Sequence, residues 1–492
     1  MGSEPATQVL DKRDTSGSKE LKEAKELQDI SNSERPLRVA VIGSGPAGIY
    51  AADALMKSDV AKERGVSIDV FERLPAPFGL IRYGVAPDHP RIKGIIKALH
   101  KVLDKPQVRL FGNVNYGSDV TLEDLKQHYD AIIFATGATD DRGLKIPGID
   151  LEGSYGAGQF VAWYDGHPDF PRTWPLDAEK VAVIGVGNVA LDVARVLAKT
   201  GDELLPTEIP ANVYEGLKQN KAVEVHVFGR RGPAQAKFTP LELRELDHSP
   251  NIEVIVDPRD IEYDEGSATA RRTVKMVDQV SSIIEDYAIR EGKPDAIHKL
   301  FLHFFENPTE ILGEDGKVVG LRTARTELDG TGNVKPTGET TDWEVGAVYR
   351  AVGYYSDNLP DVPFDEQGGV IPNEAGRVLE GGNNIPGVFT TGWIKRGPVG
   401  LIGHTKGDAN ETVECIVQDL ENGALNAPSA PEESEIEALL DSRSIAYTTW
   451  DGWYRLDEHE RSLGEAEGRE RVKVVERDDM LNASVNEREH AS

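Results

Sequence analysis

One cysteine, Cys415, is all that a chain of 492 residues contains. No intramolecular disulfide can form, and neither a cysteine-held iron–sulfur cluster nor a four-cysteine zinc site is available. Cys415 itself reads as a small, buried apolar residue on a helix. Long apolar runs are missing too, and none reaches the length that spans a membrane. Basic residues are outnumbered: 55 Lys and Arg face 84 Asp and Glu, for a net charge of −29. That balance argues against nucleic acid and anionic membrane surfaces as partners, and an acidic partner must meet a local basic patch. What is present, 39% apolar and 28% charged residues, is the composition of a soluble globular protein. At this length at least two domains are expected.

Residues 1–36 read as a flexible tail, rich in Ser, Glu and Lys, with a short helix expected over Lys19 to Ile30. The tail has no apolar secretory core. It also carries Glu20, Glu23, Glu26 and Asp29, too many acids for a mitochondrial presequence. The expected location is cytoplasmic, with the mitochondrial matrix as the alternative.

The chain is organised around Val39-Ala-Val-Ile-Gly43-Ser-Gly45-Pro-Ala-Gly48 and the helix-forming run Ile49 to Met56. This is strand, tight turn, helix. Gly43 permits the turn, Gly45 lets a pyrophosphate approach the backbone, and Gly48 lets the helix pack on the strand. Free N–H groups and the dipole at the helix start favour the phosphate charge. A second strand, Val66 to Phe71, ends on Glu72, placed to bind ribose hydroxyls. The stretch Pro75 to Pro90 is too rich in Gly and Pro for a regular element. It is also apolar for a surface loop, so it is expected to lie against a flat apolar group such as a flavin ring, with His89 nearby. A strand over Gln107 to Asn115, a Thr121-capped helix and a buried strand Asp130 to Gly137 complete a first doubly wound unit.

The pattern then restarts. Lys180-Val-Ala-Val-Ile-Gly185-Val-Gly187-Asn188-Val-Ala190 is again strand, glycine turn and helix, with Ala190 as an accepted third position. Two such matches in one chain are the strongest signal in the sequence. The second unit differs where selectivity is set. Its next strand, Val223 to Phe228, leads to Gly229-Arg230-Arg231-Gly232 with no acid at the ribose position. Arginines there bind a 2′-phosphate through charge-assisted hydrogen bonds, where an acid would repel it. The first site is therefore expected to take FAD and the second NADPH in preference to NADH. With one cysteine, the chain has no redox dithiol or cysteine-ligated centre to receive electrons, so they must leave to another molecule.

Further on, Phe238 to Leu246 opens a helix near that site. Residues 265–290 read as helix, with a basic group at Arg271, Arg272 and Lys275 that is a candidate docking patch. Phe301 to Glu327 alternates as strands around a turn at Gly313 to Gly316. A strand over Gly346 to Gly353 mirrors the one ending at Gly137 and is expected to return the chain to the first unit. Val388 to Gly392 ends a strand at Gly-Trp, and a glycine-rich turn starts a helix through Asp408 to Leu420, with Trp393 placed to cover the ring. The part from Pro428 reads as acidic, with short helices. The fold class is thus α/β with two Rossmann-like domains. The FAD domain comprises residues 37–139 and 354–492, and an NADP domain of residues 140–353 is inserted within it.

Four stretches carry a family resemblance: Pro77 to Pro90, Gly187 to Arg195, Gly229 to Pro233, and Gly392-Trp-Ile-Lys-Arg-Gly-Pro398. From about residue 37 onward the chain resembles the adrenodoxin reductase family, most closely its bacterial ferredoxin–NADP reductases. The resemblance implies an FAD enzyme that takes hydride from NADPH and passes single electrons to a ferredoxin. It implies FAD contacts at Gly43, Gly45, Gly48, Ala47, Glu72, Leu80, Tyr116, Trp393, Gly400, Leu401 and Ile402. It implies NADP contacts at Val186, Gly187, Asn188, Val189, Arg230, Arg231, Glu242 and Gly400. His89, Asp192 and Glu245 match groups that tune the reaction. Arg244 matches a docking residue for acidic ferredoxins, and Arg271, Arg272 and Lys275 match approximately. No metal site is expected. The implied partner is an acidic iron–sulfur protein and, through it, a haem monooxygenase, with the reductase itself a monomer. Val399 stands where the family pattern has Thr, and position 404 is His. The rival readings are an NADPH-dependent flavin monooxygenase and a non-catalytic FAD- or NADPH-binding module. A glutamate-synthase-like small subunit needs an N-terminal set of cluster cysteines, which this chain lacks.

Overall fold

A computed structural model of the protein describes residues 35–89, 94–400 and 402–485. The helix expected over Lys19 to Ile30, Pro90 and Leu401 lie outside the described residues.

The buried apolar run at Leu37–Ile42 forms β1, followed by β2 (Val66–Glu72), β3 (Val108–Gly112) and β4 (Ala131–Phe134). Each of these strands pairs in parallel with its neighbours. Two residues, Asp140–Asp141, form β5. A second parallel sheet then assembles from β6 (Ser154–Gly156), β7 (Lys180–Ile184), β8 (Glu224–Phe228), β9 (Ile252–Val256) and β10 (His298–His303). A three-stranded antiparallel sheet follows, made of β11 (Glu306–Glu314), β12 (Lys317–Leu328) and β13 (Val334–Glu344). Next come β14 (Ala347–Arg350) and β15 (Tyr354–Tyr355), then β16 (Asn373–Glu374), β17 (Arg377–Glu380) and β18 (Asn383–Thr390).

The strand orders expose the repeat. The first sheet runs β16-β17-β18-β4-β1-β2-β3 and the second β6-β14-β7-β8-β10-β9. In both, the glycine-turn strand (β1 or β7) has its sequence successor on one side (β2 or β8) and a much later strand (β4 or β14) on the other. The chain therefore leaves β1 and β7 at a reversal of strand order, where open α/β sheets form their ligand crevices. The same packing recurs at both turns. A Cβ on Gly43 (φ 110) would lie 2.5 Å from Ala135 O, and one on Gly185 (φ 141) 2.2 Å from Ala351 O. Each turn is pressed against the chain leaving the neighbouring strand, in a conformation that glycine adopts freely.

Several expectations need correction. The strand over 346–353 does not return the chain to the first sheet; β14 pairs with β7 and β6. The return comes after it, where β15 pairs antiparallel with β5 and the two crossings run side by side. The stretch 265–290 is two helices, Glu265–Thr273 and Lys275–Ile289, broken at Val274, whose φ of −122° and ψ of 100° are extended. The turn expected over 313–316 tightens onto Asp315 and Gly316, both with positive φ, as a two-residue hairpin requires. β13 was not legible because it is exposed almost throughout and has no apolar alternation. The Gly- and Pro-rich loop holds a short helix, Leu80–Tyr83.

The part beyond Pro428 is not peripheral. Its longest helix, Trp450–Ala466, is 17 residues. Trp453, Leu456 and Met480 are buried in the same core as β1 and β2, each contributing about 1.5–3 kcal/mol of apolar burial. The segment after that helix joins the two halves of the molecule. Lys473 Nζ donates to Arg82 O (2.7 Å) in the loop after β2 and pairs with Glu208 (2.8 Å), in the stretch between β7 and β8.

Candidate active site

The helices after the two glycine turns, Pro46–Lys57 and Asn188–Ala198, both begin at a glycine N-cap with no side-chain cap. The helix Leu122–His128, by contrast, is closed by a Thr121–Asp124 capping box. A Cβ on Gly45 or on Gly187 would meet nothing within 4 Å. Each turn thus offers first-turn N–H donors at an open surface, which is what a pyrophosphate requires. The residues present fit two dinucleotides.

Glu72 ends β2 beside the first turn. Its carboxylate accepts from Ser44 Oγ (2.6 Å), Ser44 N (3.1 Å) and Leu74 N (3.0 Å), which fixes it at the lip of the turn. The loop after it closes over the same place. Phe78 N donates to Ser44 O (3.1 Å), and a Cβ on Gly79 would lie 3.2 Å from Gly45 Cα. Phe78 takes a positive φ of 84°, a conformation rare for a side chain of this size. Its ring does not wait for a flat ligand. It stacks on His100 at 5.1 Å and meets Trp453 edge-on at 5.5 Å. Leu80, half-buried, follows Gly79 and opens the short helix Leu80–Tyr83. Tyr116 is committed to packing: its hydroxyl donates to Pro360 O (2.8 Å) and its ring meets Phe134 at 5.0 Å.

On the far side, a Cβ on Gly392 would lie 2.5 Å from Ala47 Cβ. The turn before Trp393 therefore sits directly on the start of the first glycine-turn helix. Gly392 N donates to Asp408 Oδ2 (2.6 Å), and Trp393 stacks on Tyr354 at 6.0 Å. Gly400 is exposed with φ 90°, beside His404. Ile402 begins the next helix, and its side chain lies outside the described residues.

The second turn is shaped by what packs on it. Lys237 N donates to Val186 O (2.8 Å), and Asn188 Oδ1 accepts from Thr239 N (2.8 Å). Thr239 caps the helix Pro240–Glu245. Val189 packs on the core of the second sheet. Arg230 and Arg231 lie just past β8, exposed and half-buried respectively. Among the described residues, no ion pair or side-chain hydrogen bond engages either guanidinium.

Between the two turns lies a buried charged cluster. His89 Nε2 is 2.9 Å from Asp192 Oδ1 and 2.6 Å from Glu242 Oε2. Arg195, fully buried, grips Asp88 with two bonds of 2.8 Å and reaches Asp192 Oδ1 (2.8 Å) and His89 Nε2 (2.6 Å). Lys199 Nζ adds a further contact to Asp88 (2.8 Å). Burial alone would lower the His89 pKa; its contacts with Asp192 and Glu242 outweigh burial and raise it to about 9. Burial would raise the Asp88 carboxyl, but Arg195 and Lys199 hold it well below the usual carboxylate range. The ligand atoms of His89, Asp192 and Glu242 lie within 4.8 Å of one another, a spacing a metal ion can use. The Arg195 guanidinium already supplies the cation.

Glu245 does not join this cluster. It pairs with His248 at 3.0 Å, and Glu242, one turn earlier, takes the inward position. Asp88, Arg195 and Lys199 were not singled out from sequence as site residues. Their signal was present for Arg195, which closes the stretch Gly187 to Arg195, but pairing across more than 100 residues has no local signature.

Residues 37–231 match the family model described as pyridine nucleotide-disulphide oxidoreductase. The chain is 41% identical over 459 residues to the NADPH-ferredoxin reductase FprA of Mycobacterium tuberculosis, covering 91% of this chain and 99% of that protein. It is 36% identical over 468 residues to the mitochondrial NADPH:adrenodoxin oxidoreductase of Bos taurus, covering 92% and 93%. The solved structure of Mycobacterium tuberculosis FprA in complex with NADPH superposes with a TM-score of 0.84 at 40% identity, covering 92% of this chain and all of that one. The chain belongs to the adrenodoxin reductase family.

As an adrenodoxin reductase-type protein it was expected to carry a basic docking patch, and the structure divides the candidates. Arg271 is bound by Asp278 (3.1 Å) and Glu285, and Arg272 by Glu265 (2.8 Å). Lys275 is exposed at the start of its helix. Arg244 is exposed and lines a cavity of about 440 Å³ with Asp247, His248, Asp278 and Tyr287. Among the described residues, no helix is long and apolar enough to cross a membrane.

Proposed function

We propose that this protein is an FAD-dependent NADPH–ferredoxin reductase, taking hydride from NADPH and delivering single electrons to an acidic iron–sulfur protein. The observation that carries the reading is the pair of open, uncapped glycine turns with opposite flanks. The first is flanked by Glu72, which accepts from ribose hydroxyls, and the second by Arg230 and Arg231, free to take a 2′-phosphate. Bound FAD would supply the hydride acceptance and one-electron release that no side chain here offers. Gly43, Gly45, Gly48 and Ala47 bind it at the helix N-terminus, with Leu80 and Trp393 closing the site. Val186 to Val189 bind the second dinucleotide. His89 holds a proton at Nε2 between Asp192 and Glu242. No residue acts as a covalent nucleophile.

The domain reading accompanies it: residues 37–139 and 354–492 form the FAD unit and residues 140–353 the NADP unit. Sheet membership supports this division, since β1–β4 and β16–β18 share one sheet while β6–β10 and β14 share another. A cytoplasmic, monomeric enzyme whose ferredoxin serves a haem monooxygenase completes the reading; the resemblance supports the monomer and the monooxygenase, and the acidic residues 20–29 the location.

The test is an anaerobic mix of the purified protein with NADPH, then with oxidised ferredoxin, following the visible flavin band. Bleaching by NADPH and recovery with ferredoxin is the expected result. Recovery only with oxygen would favour a monooxygenase, and absence of bleaching a binding module.

A further inference from the structure

His89 Nε2 sits at a junction that one protonation state cannot satisfy. Two acceptors, Asp192 Oδ1 and Glu242 Oε2, lie within 2.9 Å, and so does one donor, Arg195 Nη2, at 2.6 Å. When Nε2 carries a proton it donates to a carboxylate and faces the guanidinium donor-to-donor. When Nε2 is bare it accepts from Arg195 and turns a lone pair toward two carboxylates. The far end of the guanidinium is also unspent. Arg195 Nη1 is buried without a hydrogen-bond partner, and Glu242 Oε2, which is close to His89 Nε2 but not aligned with it for a hydrogen bond, lies 3.9 Å from Nη1. An arginine and a carboxylate this close, both buried, stand one small movement from a charge-assisted hydrogen bond.

We propose that Arg195 is the positioning residue that lets His89 exchange its proton inside the protein, with Asp88 holding the guanidinium in place for that exchange. With His89 protonated, the imidazolium serves Asp192 and Glu242, and Arg195 is spent chiefly on Asp88. When the proton leaves to solvent, Nη2 donates to Nε2 and Nη1 closes on Glu242. Nη1 then gains an acceptor, while Nη2, which has two hydrogens, keeps Asp88 and exchanges Asp192 Oδ1 for Nε2. The charges agree with this cycle. Asp88, Asp192 and Glu242 balance Arg195, Lys199 and protonated His89, and deprotonation leaves one net negative charge. Among the described residues, Tyr164 and Tyr354 are further titratable groups that feel the charge of Asp192, from the second sheet's side and the crossing strand. Burial keeps both phenols protonated, so neither competes for the proton. Lys199 backs Asp88 from outside, with its side chain 14% exposed. The inference rests on the proposed reductase reading for its purpose but not for its test.

The experiment is a proton titration of the His89 ring by nuclear magnetic resonance. The full-length protein carries 13C-labelled histidine, and the His89 signal is assigned by its loss in His89→Gln. Three variants are compared with wild type. Arg195→Gln should raise the proton affinity of His89 about tenfold or more, because it removes the competing donor and a positive charge. Arg195→Lys should shift it in the same direction, since an ammonium lacks the planar fork that spans Asp88 and Nε2 together. Asp88→Asn should lower it about tenfold, because the released guanidinium turns to Asp192 and Glu242 and displaces the imidazole. Shifts of opposite sign at Arg195 and Asp88 support the proposal. A wild-type titration in Arg195→Lys, or an unshifted or raised titration in Asp88→Asn, overturns it. If the Arg195 variants do not fold, Asp88→Asn alone decides by the same criterion. The readout needs no NADPH. Wild-type protein that fails to bleach with NADPH while these titrations shift as expected would defeat the reductase reading and leave this inference standing.

Discussion

Arg82 and Glu460 are 378 positions apart in the chain and meet as a fully buried pair, with Arg82 Nη1 3.0 Å from Glu460 Oε2 and Nη2 against Oε1. The carboxylate also accepts from Arg471 Nη1 (3.1 Å) and Val474 N (3.0 Å). This contact ties the loop after β2 to the C-terminal helix. Removing one member of such a pair leaves the other charge buried and uncompensated. Glu460→Ala is expected to destabilise the protein by about 3–5 kcal/mol, measured by urea unfolding. A loss within experimental error would mean that solvent or Arg471 compensates for the pair.

Arg230→Ala combined with Arg231→Ala should raise KM for NADPH by about 10- to 100-fold while leaving NADH turnover nearly unchanged, a few kcal/mol from two charge-assisted contacts. Steady-state kinetics with both nucleotides decides. Equal effects on the two would remove the 2′-phosphate role from these residues.

Arg244→Glu should slow ferredoxin reduction about tenfold at low salt and leave flavin reduction by NADPH intact. Arg271→Ala and Arg272→Ala should change the ferredoxin rate much less, because both side chains are already ion-paired. Stopped-flow rates separate the two half-reactions. A larger effect at Arg271 than at Arg244 would relocate the docking surface.

His89 is raised to about 9 from an ordinary 6.5, so the folded protein holds this proton more tightly than the unfolded chain. Its contribution to stability is fully present below pH 6.5 and is lost as pH rises through 9. Relative to His89→Gln, the unfolding free energy of wild type should fall by about 3 kcal/mol between pH 6 and pH 10. Parallel pH profiles for the two proteins would exclude a raised His89.

Where the two crossings run side by side, Asp140 is pushed up to about 6 by its hydrogen bond with Asp357, then by burial and by the charges of Asp357 and Asp141. A raised carboxyl adds stability at low pH that is lost as pH rises through 6. Asp357→Asn should therefore stabilise the protein at pH 8, by no more than about 1 kcal/mol because the pair is solvent-screened. At pH 4 the variant should match wild type, and thermal unfolding at the two pH values reads the difference.

The two glycine turns, Glu72, the arginine pair and the α/β class were legible because each depends on local geometry. A strand, a tight turn and a helix N-terminus are written in consecutive residues, and the acid or arginines follow at the end of the next strand. Glu242 and Glu245 show where that legibility ends. They sit three positions apart on one short helix, and helical spacing places both near the same face. Asn188 holds Thr239, Thr239 starts the helix, and that anchoring turns Glu242 inward to His89 while Glu245 meets His248.

The same division holds for the whole chain. The sequence alone determined that there are two dinucleotide folds and that no disulfide or cysteine-held cluster can form within this chain. Tertiary structure alone decided that β14 lies between β6 and β7 in the second sheet, that the helix Trp450–Ala466 carries the partner of Arg82, and that Asp88, His89, Asp192, Arg195 and Glu242 share one buried cluster. Backbone turns obey short-range sterics, which neighbouring residues specify. Buried charges must find partners wherever the fold brings them, and many of those partners lie a hundred residues or more away.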